Sequence, residues 1–492
     1  MDEDNAWAGV IRELRRLATG PAGTRLPSVR ELTARHHASP VTVARATRRL
    51  VAEGLIETVP GRGAFVAARP PDAPRASSGS PDGSPDVGSH GSPADAASYR
   101  SADLSWQAVA LGTRPEGEEA LQALLAVPRP DAVPLSGGYL DPDLQPTAAL
   151  AAAVTRAARQ PGVWDRGPLH GRVELRAWFA RESGAGFGAE DIVICPGGQA
   201  ALSTAVRALT APGEAVLVES PTYLGVLAAA RAAGRLVVPV PVDADGVRPD
   251  LLAAAFDRTG ARLFYCQPLY ANPHGATLHP ARRRPVLDAV RRAGAFLLED
   301  DYARDLTLDG EPEPPLATDD PDGHVVHLRS LTKSAATGLR VAGLAARGPA
   351  GRRLRSARAL DDFFVPGVLQ MAALDLVTSP AWNRHRRALR SALRERRDAL
   401  LAALDRHAPQ LRPAGVPRGG LHLWVPLPDG VDDVELVAAA AAEDVVVFPG
   451  RPWYAAEPPA PHLRLTYAAA PPAQLEEGVR RLGRALATVQ HR

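Results

Sequence analysis

The sequence predicts a two-part chain: a small N-terminal α+β head, and a larger α/β body built on a mostly parallel sheet covered by helices. Three observations carry this. Between positions 70 and 102 the chain turns to Pro, Gly, Ser, Ala and Asp with almost no large apolar residue. Such a stretch buries too little surface to offset its ordering entropy, and reads as a flexible linker. The 69 residues before it show helical periods followed by two short β-prone runs. The residues after it alternate apolar runs with Ala-, Leu- and Arg-rich helical patterns, the signature of strands and covering helices. The expected units are 1–69, the linker 70–102, and 103–492.

In the head, apolar residues at Trp7, Val10, Ile11, Leu14 and Leu17 repeat with a helical period over 7–18. Ser28 followed by Glu31 is a capping box that opens a second helix. Ser39 then Pro40 is an N-cap with a first-turn proline, opening a third helix that stops at Gly54. LIETV and GAFVA, joined by Pro60-Gly61-Arg62-Gly63, make a hairpin. Formal net charge of the whole chain is only +2, so a nucleic-acid footprint must be local. It is local: eleven arginines face four glutamates between positions 10 and 69.

This order resembles a winged helix-turn-helix, and GTRLPSVRELTARHHASPVTVARATRRLVAEGLIETVPGRGAFVA resembles the GntR-type family along its whole length. The resemblance implies a reader of double-stranded operator DNA whose third helix enters the major groove. Arg30, Thr42 and Arg45 then face DNA, while Val43, Ala46 and Leu50 pack inward. Arg62 at the wing tip reaches the minor groove. Pro40 stands where relatives carry an arginine.

In the body, DIVIC, AVLVES, RLVVPVPV, RLFYCQP, AFLLED and VVHLRS read as strands. A charged helix over about 382–407 leads to a smaller C-terminal α+β part containing GLHLWVPL, DVVVFP and HLRLTY. Ligands of such sheets bind at the carboxyl ends of strands. The candidate chemical residues stand there.

Lys333 is singled out first by composition. It is the one lysine among 57 basic residues. Nucleotide bias toward arginine explains the missing lysines but not the survivor. A guanidinium stays protonated and cannot act as a nucleophilic amine, so the lone lysine points to amine chemistry. The neighbouring motifs meet the demands of pyridoxal phosphate: an amine for its aldehyde, a carboxylate for its ring nitrogen, donors for its phenolate and phosphate, and an aromatic face. In chain order these are Pro196-Gly197-Gly198-Gln199 for the phosphate, Tyr223 for the ring, and Asn272 for the phenolate. Asp300 serves the ring nitrogen and Tyr302 the phenolate. Ser330 and Arg340 flank Lys333, the Schiff-base residue, and grip the phosphate. Arg464 clamps a substrate carboxylate.

That order resembles the fold type I aminotransferases over roughly 130–485. Joined to a GntR-type head, the architecture resembles the MocR subfamily of transcriptional regulators. The resemblance implies a homodimer, and a body that senses the cofactor or an amino acid or amine effector. The rival reading is a working aminotransferase with an appended DNA-binding domain. A third has the body only dimerise, which leaves Lys333 and Arg464 without a purpose. Three departures stand out: Gly198 where relatives often have Ser, Thr337 where Pro is common, and no tyrosine in WDRGPLHG. Two cysteines, Cys195 and Cys266, are too few for a disulfide framework. No Cys/His cluster has zinc spacing, so no metal is expected. With neither a signal-peptide pattern nor an apolar run of membrane length, the expectation is a cytoplasmic protein without membrane contact.

Overall fold

A computed structural model describes residues 3–21, 23–36, 38–52, 55–59, 63–67, 106–107, 110, 118–184 and 186–491. The chain divides into two compact units, Met1–Ala102 and Asp103–Arg492. The linker expected at 70–102 lies outside the described residues.

The first unit holds α1 (Glu3–Leu17), α2 (Val29–His36), α3 (Pro40–Ala52) and an antiparallel pair, β1 (Ile56–Val59) and β2 (Gly63–Val66). The cap predicted at Ser28 forms. Its backbone N–H donates to Glu31 Oε2 at 2.7 Å, and the Glu31 N–H donates to Ser28 Oγ at 3.3 Å. Ser39 caps α3 by accepting from the Thr42 N–H at 3.1 Å. Helix α1 begins before Trp7 because apolar spacing marks only the buried face, not the polar first turn. Val10, Leu14, Leu32, Val43, Ala46 and Leu50 make the core, with Ile56 and Val66 from the hairpin.

The second unit opens with α4 (Glu118–Leu125), β3 (Val133–Pro134), α5 (Thr147–Ala158), α6 (Val173–Ser183) and β4 (Ile192–Cys195). Then come α7 (Gly198–Leu209), β5 (Ala215–Ser220), α8 (Leu224–Ala232), β6 (Leu236–Asp243), β7 (Gly246–Val247) and α9 (Pro249–Thr259). They are followed by β8 (Leu263–Cys266), α10 (Pro280–Arg292), β9 (Phe296–Asp301), β10 (Val325–Ser330) and β11 (Ala342–Ala345). Last are α11 (Gly348–Asp362), α12 (Gly367–Thr378), α13 (Pro380–His407), β12 (His422–Pro426), α14 (Asp433–Ala442), β13 (Val445–Val446), β14 (Phe448–Pro449), β15 (His462–Thr466) and α15 (Pro472–Gln490).

The large sheet has eight strands in the order β4-β11-β10-β9-β8-β5-β6-β7. Its centre, β10-β9-β8-β5-β6, is parallel. Its flanks are antiparallel. From the β5/β8 neighbours the strand order runs outward in both directions, a switch point that opens a crevice at the carboxyl ends. Strand β11 escapes sequence reading because Ala-Gly-Leu-Ala has no β-branched residue. Packing requires that composition: a Cβ on Gly343 would come 2.5 Å from the Phe179 ring. The smaller C-terminal part packs the antiparallel sheet β12-β15-β14 with α13 and α15 over a separate apolar core.

Candidate functional site

The crevice at the strand ends holds a cavity of about 430 Å³, and Lys333, Asp300, Asn272, Tyr223, Arg340 and Arg464 line it together. Gly198, Gln199, Tyr302 and Ser330 also line it. Every cofactor and substrate residue singled out by the motifs therefore meets in one place.

Lys333 follows β10 and is partly buried. Its ammonium donates to the Gly138 carbonyl at 2.6 Å and sits 3.7 Å above the Tyr139 ring. Burial, helped by the nearby Arg464 and Arg340 charges, lowers its pKa to about 7, with Asp300 opposing. A large fraction of this amine is thus unprotonated near neutrality, which an exposed lysine never achieves.

Asp300, at the end of β9, accepts from the Tyr265 hydroxyl at 2.7 Å and from Gln267 Nε2 at 2.8 Å, both on Oδ2. Burial raises its pKa to about 6, and these two hydrogen bonds oppose the rise. Among the described residues no guanidinium is bonded to it, and the Lys333 charge opposes the rise only weakly. The cavity therefore contains a buried carboxylate short of a cationic partner.

The cis-linked Asn272-Pro273 turn follows β8. Asn272 Oδ1 accepts from Arg464 Nη1 at 3.0 Å, leaving the amide NH2 as a donor. Tyr302 donates its hydroxyl to the Tyr270 carbonyl at 2.7 Å, so in this state its proton is committed to backbone. Gln199 is similarly engaged, its Nε2 donating to the Gly225 carbonyl at 2.8 Å. Ser330 Oγ donates to Thr332 Oγ1 at 3.1 Å.

The glycine loop before α7 is shaped around Arg340. Gly197 has φ +91°, and a Cβ there would lie 2.6 Å from the Arg340 guanidinium carbon. Arg340 itself is left-handed at φ +48° and donates to the Pro196 carbonyl at 3.0 Å. A strained arginine beside a helix N-terminus makes a cradle for an anion. Across the cavity, Arg464 is buried between the Ser136 carbonyl, Asn272 and the Trp453 ring, 4.3 Å from its centroid. Its Nε has no acceptor among the described residues.

Sequence reading missed Tyr265, Gln267, Gly138, Tyr139 and His422. Gln267 ties the site together, joining Asp300 to the Asn272 N–H, which donates to its Oε1 at 2.9 Å. His422 lines the cavity with an unpartnered Nδ1. Burial and the charges of Arg464 and Lys333 hold its pKa well below the usual range, so it is neutral. Only the Gly-Gly-Tyr run at 137–139, just after a short apolar segment, carried a local signal. Leu121 and Leu124 of α4 add an apolar wall.

In the first unit, Arg30 and Arg45 are exposed and Thr42 is half-buried on the surface of α2 and α3. Arg45 is held by Trp7, its guanidinium 5.4 Å from the ring centroid, and the Thr42 hydroxyl is 2.8 Å from Ser39 Oγ. Arg62 lies outside the described residues. No helix among the described residues is long and apolar enough to cross a membrane.

Residues 133–482 match the family of aminotransferases class I and II, and residues 10–66 match the gntR family of bacterial regulatory proteins. The chain is 34% identical to a 2-aminoadipate transaminase of Thermus thermophilus, over 78% of this chain and 98% of that protein. It is 25% identical to YdfD, an uncharacterized HTH-type transcriptional regulator of Bacillus subtilis, over 94% of this chain and 92% of that one. The crystal structure of LysN, the α-aminoadipate aminotransferase of Thermus thermophilus complexed with N-(5'-phosphopyridoxyl)-L-leucine, superposes with a TM-score of 0.72 at 31% identity. It covers 79% of this chain and 100% of that one.

Proposed function

Because this chain belongs to the aminotransferase class I and II family and joins it to a gntR-family head, the architecture of the MocR regulators, we propose that it is a DNA-binding transcriptional regulator that responds through pyridoxal phosphate bound at Lys333. The observation that carries the reading is the pairing of the chain's one lysine, its pKa lowered to about 7, with the cation-short Asp300 in one cavity.

The residues present fit the cofactor. Gly197 leaves the space that the Arg340 guanidinium occupies beside the α7 N-terminus, where a Cβ would collide with it. Arg464 Nε, buried without an acceptor among the described residues, suits the carboxylate of an amino compound brought to the cofactor. When bound, pyridoxal phosphate supplies an electron-withdrawing ring next to a carbon–nitrogen bond. Lys333 would hold its aldehyde carbon. Asp300 would keep a proton on its ring nitrogen, and that charge would draw the carboxyl back to its ionised form. Asn272, with Tyr302 once released from Tyr270, would donate to its phenolate. The α7 N–H groups at Gly198 and Gln199, with Ser330 and Arg340, would hold its phosphate, and Tyr223 would supply an aromatic face for its ring.

Arg464 would grip the carboxylate of an amino acid effector, whose amine competes with Lys333. An effector acts on the head only through its differential affinity for two states. The head reads operator DNA through Arg30, Thr42, Arg45 and Arg62. We place the protein in the cytoplasm as a homodimer. The full set of cavity residues also supports a second reading, a working aminotransferase. There Lys333, released from the cofactor, would carry a proton to and from the substrate carbon.

Purified protein should be yellow, and borohydride should fix the cofactor on the Lys333 peptide. Colourless protein that takes up no cofactor would sink the reading. DNA upstream of the chain's own gene should shift at moderate salt, and an effector amine should alter that shift. Sustained turnover of an amino donor with a keto acid, without any specific shift, selects the enzyme.

A further inference from the structure

The face of the large sheet away from Lys333 carries a second cavity, of about 290 Å³. Alternation along the strands separates the two: Ser330 lines the first and its neighbour Arg329 the second. Around Arg329 stand Arg304 and Asp305, just after β9, and Glu182 at the end of α6. One stripe of α13 completes the wall: Asn383, Arg386, Arg387 and Arg390, whose spacing puts them on a single helix face. Asn383 stands in the first turn of α13, where the helix dipole adds positive potential.

Five guanidinium groups and three carboxylates line this cavity; counting Asp301, which pairs with Arg304 and stands 3.9 Å from Arg329, the excess is one positive charge. The carboxylates are stretched thin. Asp305 is shared between Arg329 at 3.0 Å and Arg386 at 3.4 Å. Glu182 reaches Arg329 at 3.2 Å, and the exposed Glu311 comes no closer than 3.7 Å to Arg390. Arg387 has no hydrogen bond or ion pair among the described residues. Arg329 is almost fully buried, and its Nε–H has no acceptor. A buried donor without a partner is costly, and an entering anion would relieve that cost. A merely solvated arginine face looks different: on α15, Arg480 and Arg481 both pair with Glu477, and Arg484 pairs with Glu443.

We propose that this cavity binds a small oxyanion of two or more charges, a phosphate ester or a dicarboxylate, between Arg329 and the Arg386–Arg387–Arg390 stripe. The site is separate from the Lys333 cavity and gives the body a second ligand input. Guanidinium forks suit both phosphate and carboxylate oxygens, so the shared chemistry is the planar pair of acceptor oxygens.

Isothermal titration of the full chain, saturated with pyridoxal phosphate so that the Arg340 cradle is filled, tests this with pyrophosphate and with malonate. One-site saturable binding of at least one anion is expected. Preference for pyrophosphate identifies a phosphate ester, and preference for malonate a dicarboxylate. Arg387→Glu and Arg390→Glu, at positions outside the apolar core, should each weaken binding about tenfold or more. Arg352→Glu, on the exposed side of α11, should leave it unchanged and controls for net charge. No saturable binding of either anion overturns the proposal, as does binding that the Arg387 and Arg390 variants leave intact. Chain purified without cofactor should show the same weakening in the same two variants, so the outcome does not depend on the Lys333 reading.

Discussion

Asp300 and Asp301 are consecutive on β9 and both are buried, yet the two faces of the sheet treat them in opposite ways. Asp300 looks into the Lys333 cavity, where burial dominates and lifts its carboxyl to about 6 against two neutral hydrogen bonds. Asp301 meets the same burial, but Arg304, His327 and Arg329 close around it and hold it below the carboxylate range. Burial alone therefore sets neither value; the supply of cations does. The saturated carboxylate, Asp301, is structural: it holds the cations around it in place. The face that leaves a carboxylate wanting a cation is where a cationic ring nitrogen belongs.

The largest expected effect breaks the saturated side. Asp301→Ala removes the carboxylate shared by Arg304, Arg329 and His327, two of them fully buried, and should cost about 3–5 kcal/mol in urea unfolding. An unchanged midpoint would contradict the structural role. Asp300→Asn should keep stability within about 1 kcal/mol while lowering cofactor affinity about 10- to 100-fold, read by visible titration. Equal affinity would remove Asp300 from the cofactor's ring nitrogen.

The two carboxylates also predict opposite pH dependence. The folded pKa of Asp300 lies above its ordinary 3.8, so the folded state binds the extra proton and stability falls as pH rises from about 4 to about 6. The Asn variant of the cofactor-free chain should lack that fall. The folded pKa of Asp301 lies below its ordinary value, so its contribution is full above about 4 and is lost in more acidic solution. Lys333 follows its own lowered value of about 7. Cofactor uptake should slow about tenfold per pH unit below that point, as the neutral amine disappears. A rate flat between pH 5 and 7 would refute the lowered value. Smallest of all, Tyr265→Phe removes one donor from Asp300 and should weaken cofactor binding by about 0.5–1.5 kcal/mol. Its signature is a further rise of the Asp300 titration, which a packing defect would not produce.

Much of the molecule is legible along the chain. β5, β9 and β10 announce themselves as apolar runs, and Ser28 and Ser39 as helix caps, because those signals are local. Lys333 and Asp300 are legible because the chemistry demands those residue types at strand ends, and Arg340 and Arg464 because it demands guanidiniums for two anionic groups. β11 is not, since its small residues answer to Phe179 rather than to strand propensity. Gly138 is not either: it meets Lys333 across a separation of 195 residues.

The two-part organisation, the strand-and-helix alternation and the identity of the amine can all be read along the chain, because composition, periodicity and residue chemistry need no neighbours. What surrounds that amine follows from packing alone. Gln267 bridging Asp300 to Asn272, His422 held neutral, and an arginine-lined cavity behind the sheet all come from packing side chains distant in sequence. So does the lowered pKa of Lys333, because desolvation and field exist only once the chain has closed around the group.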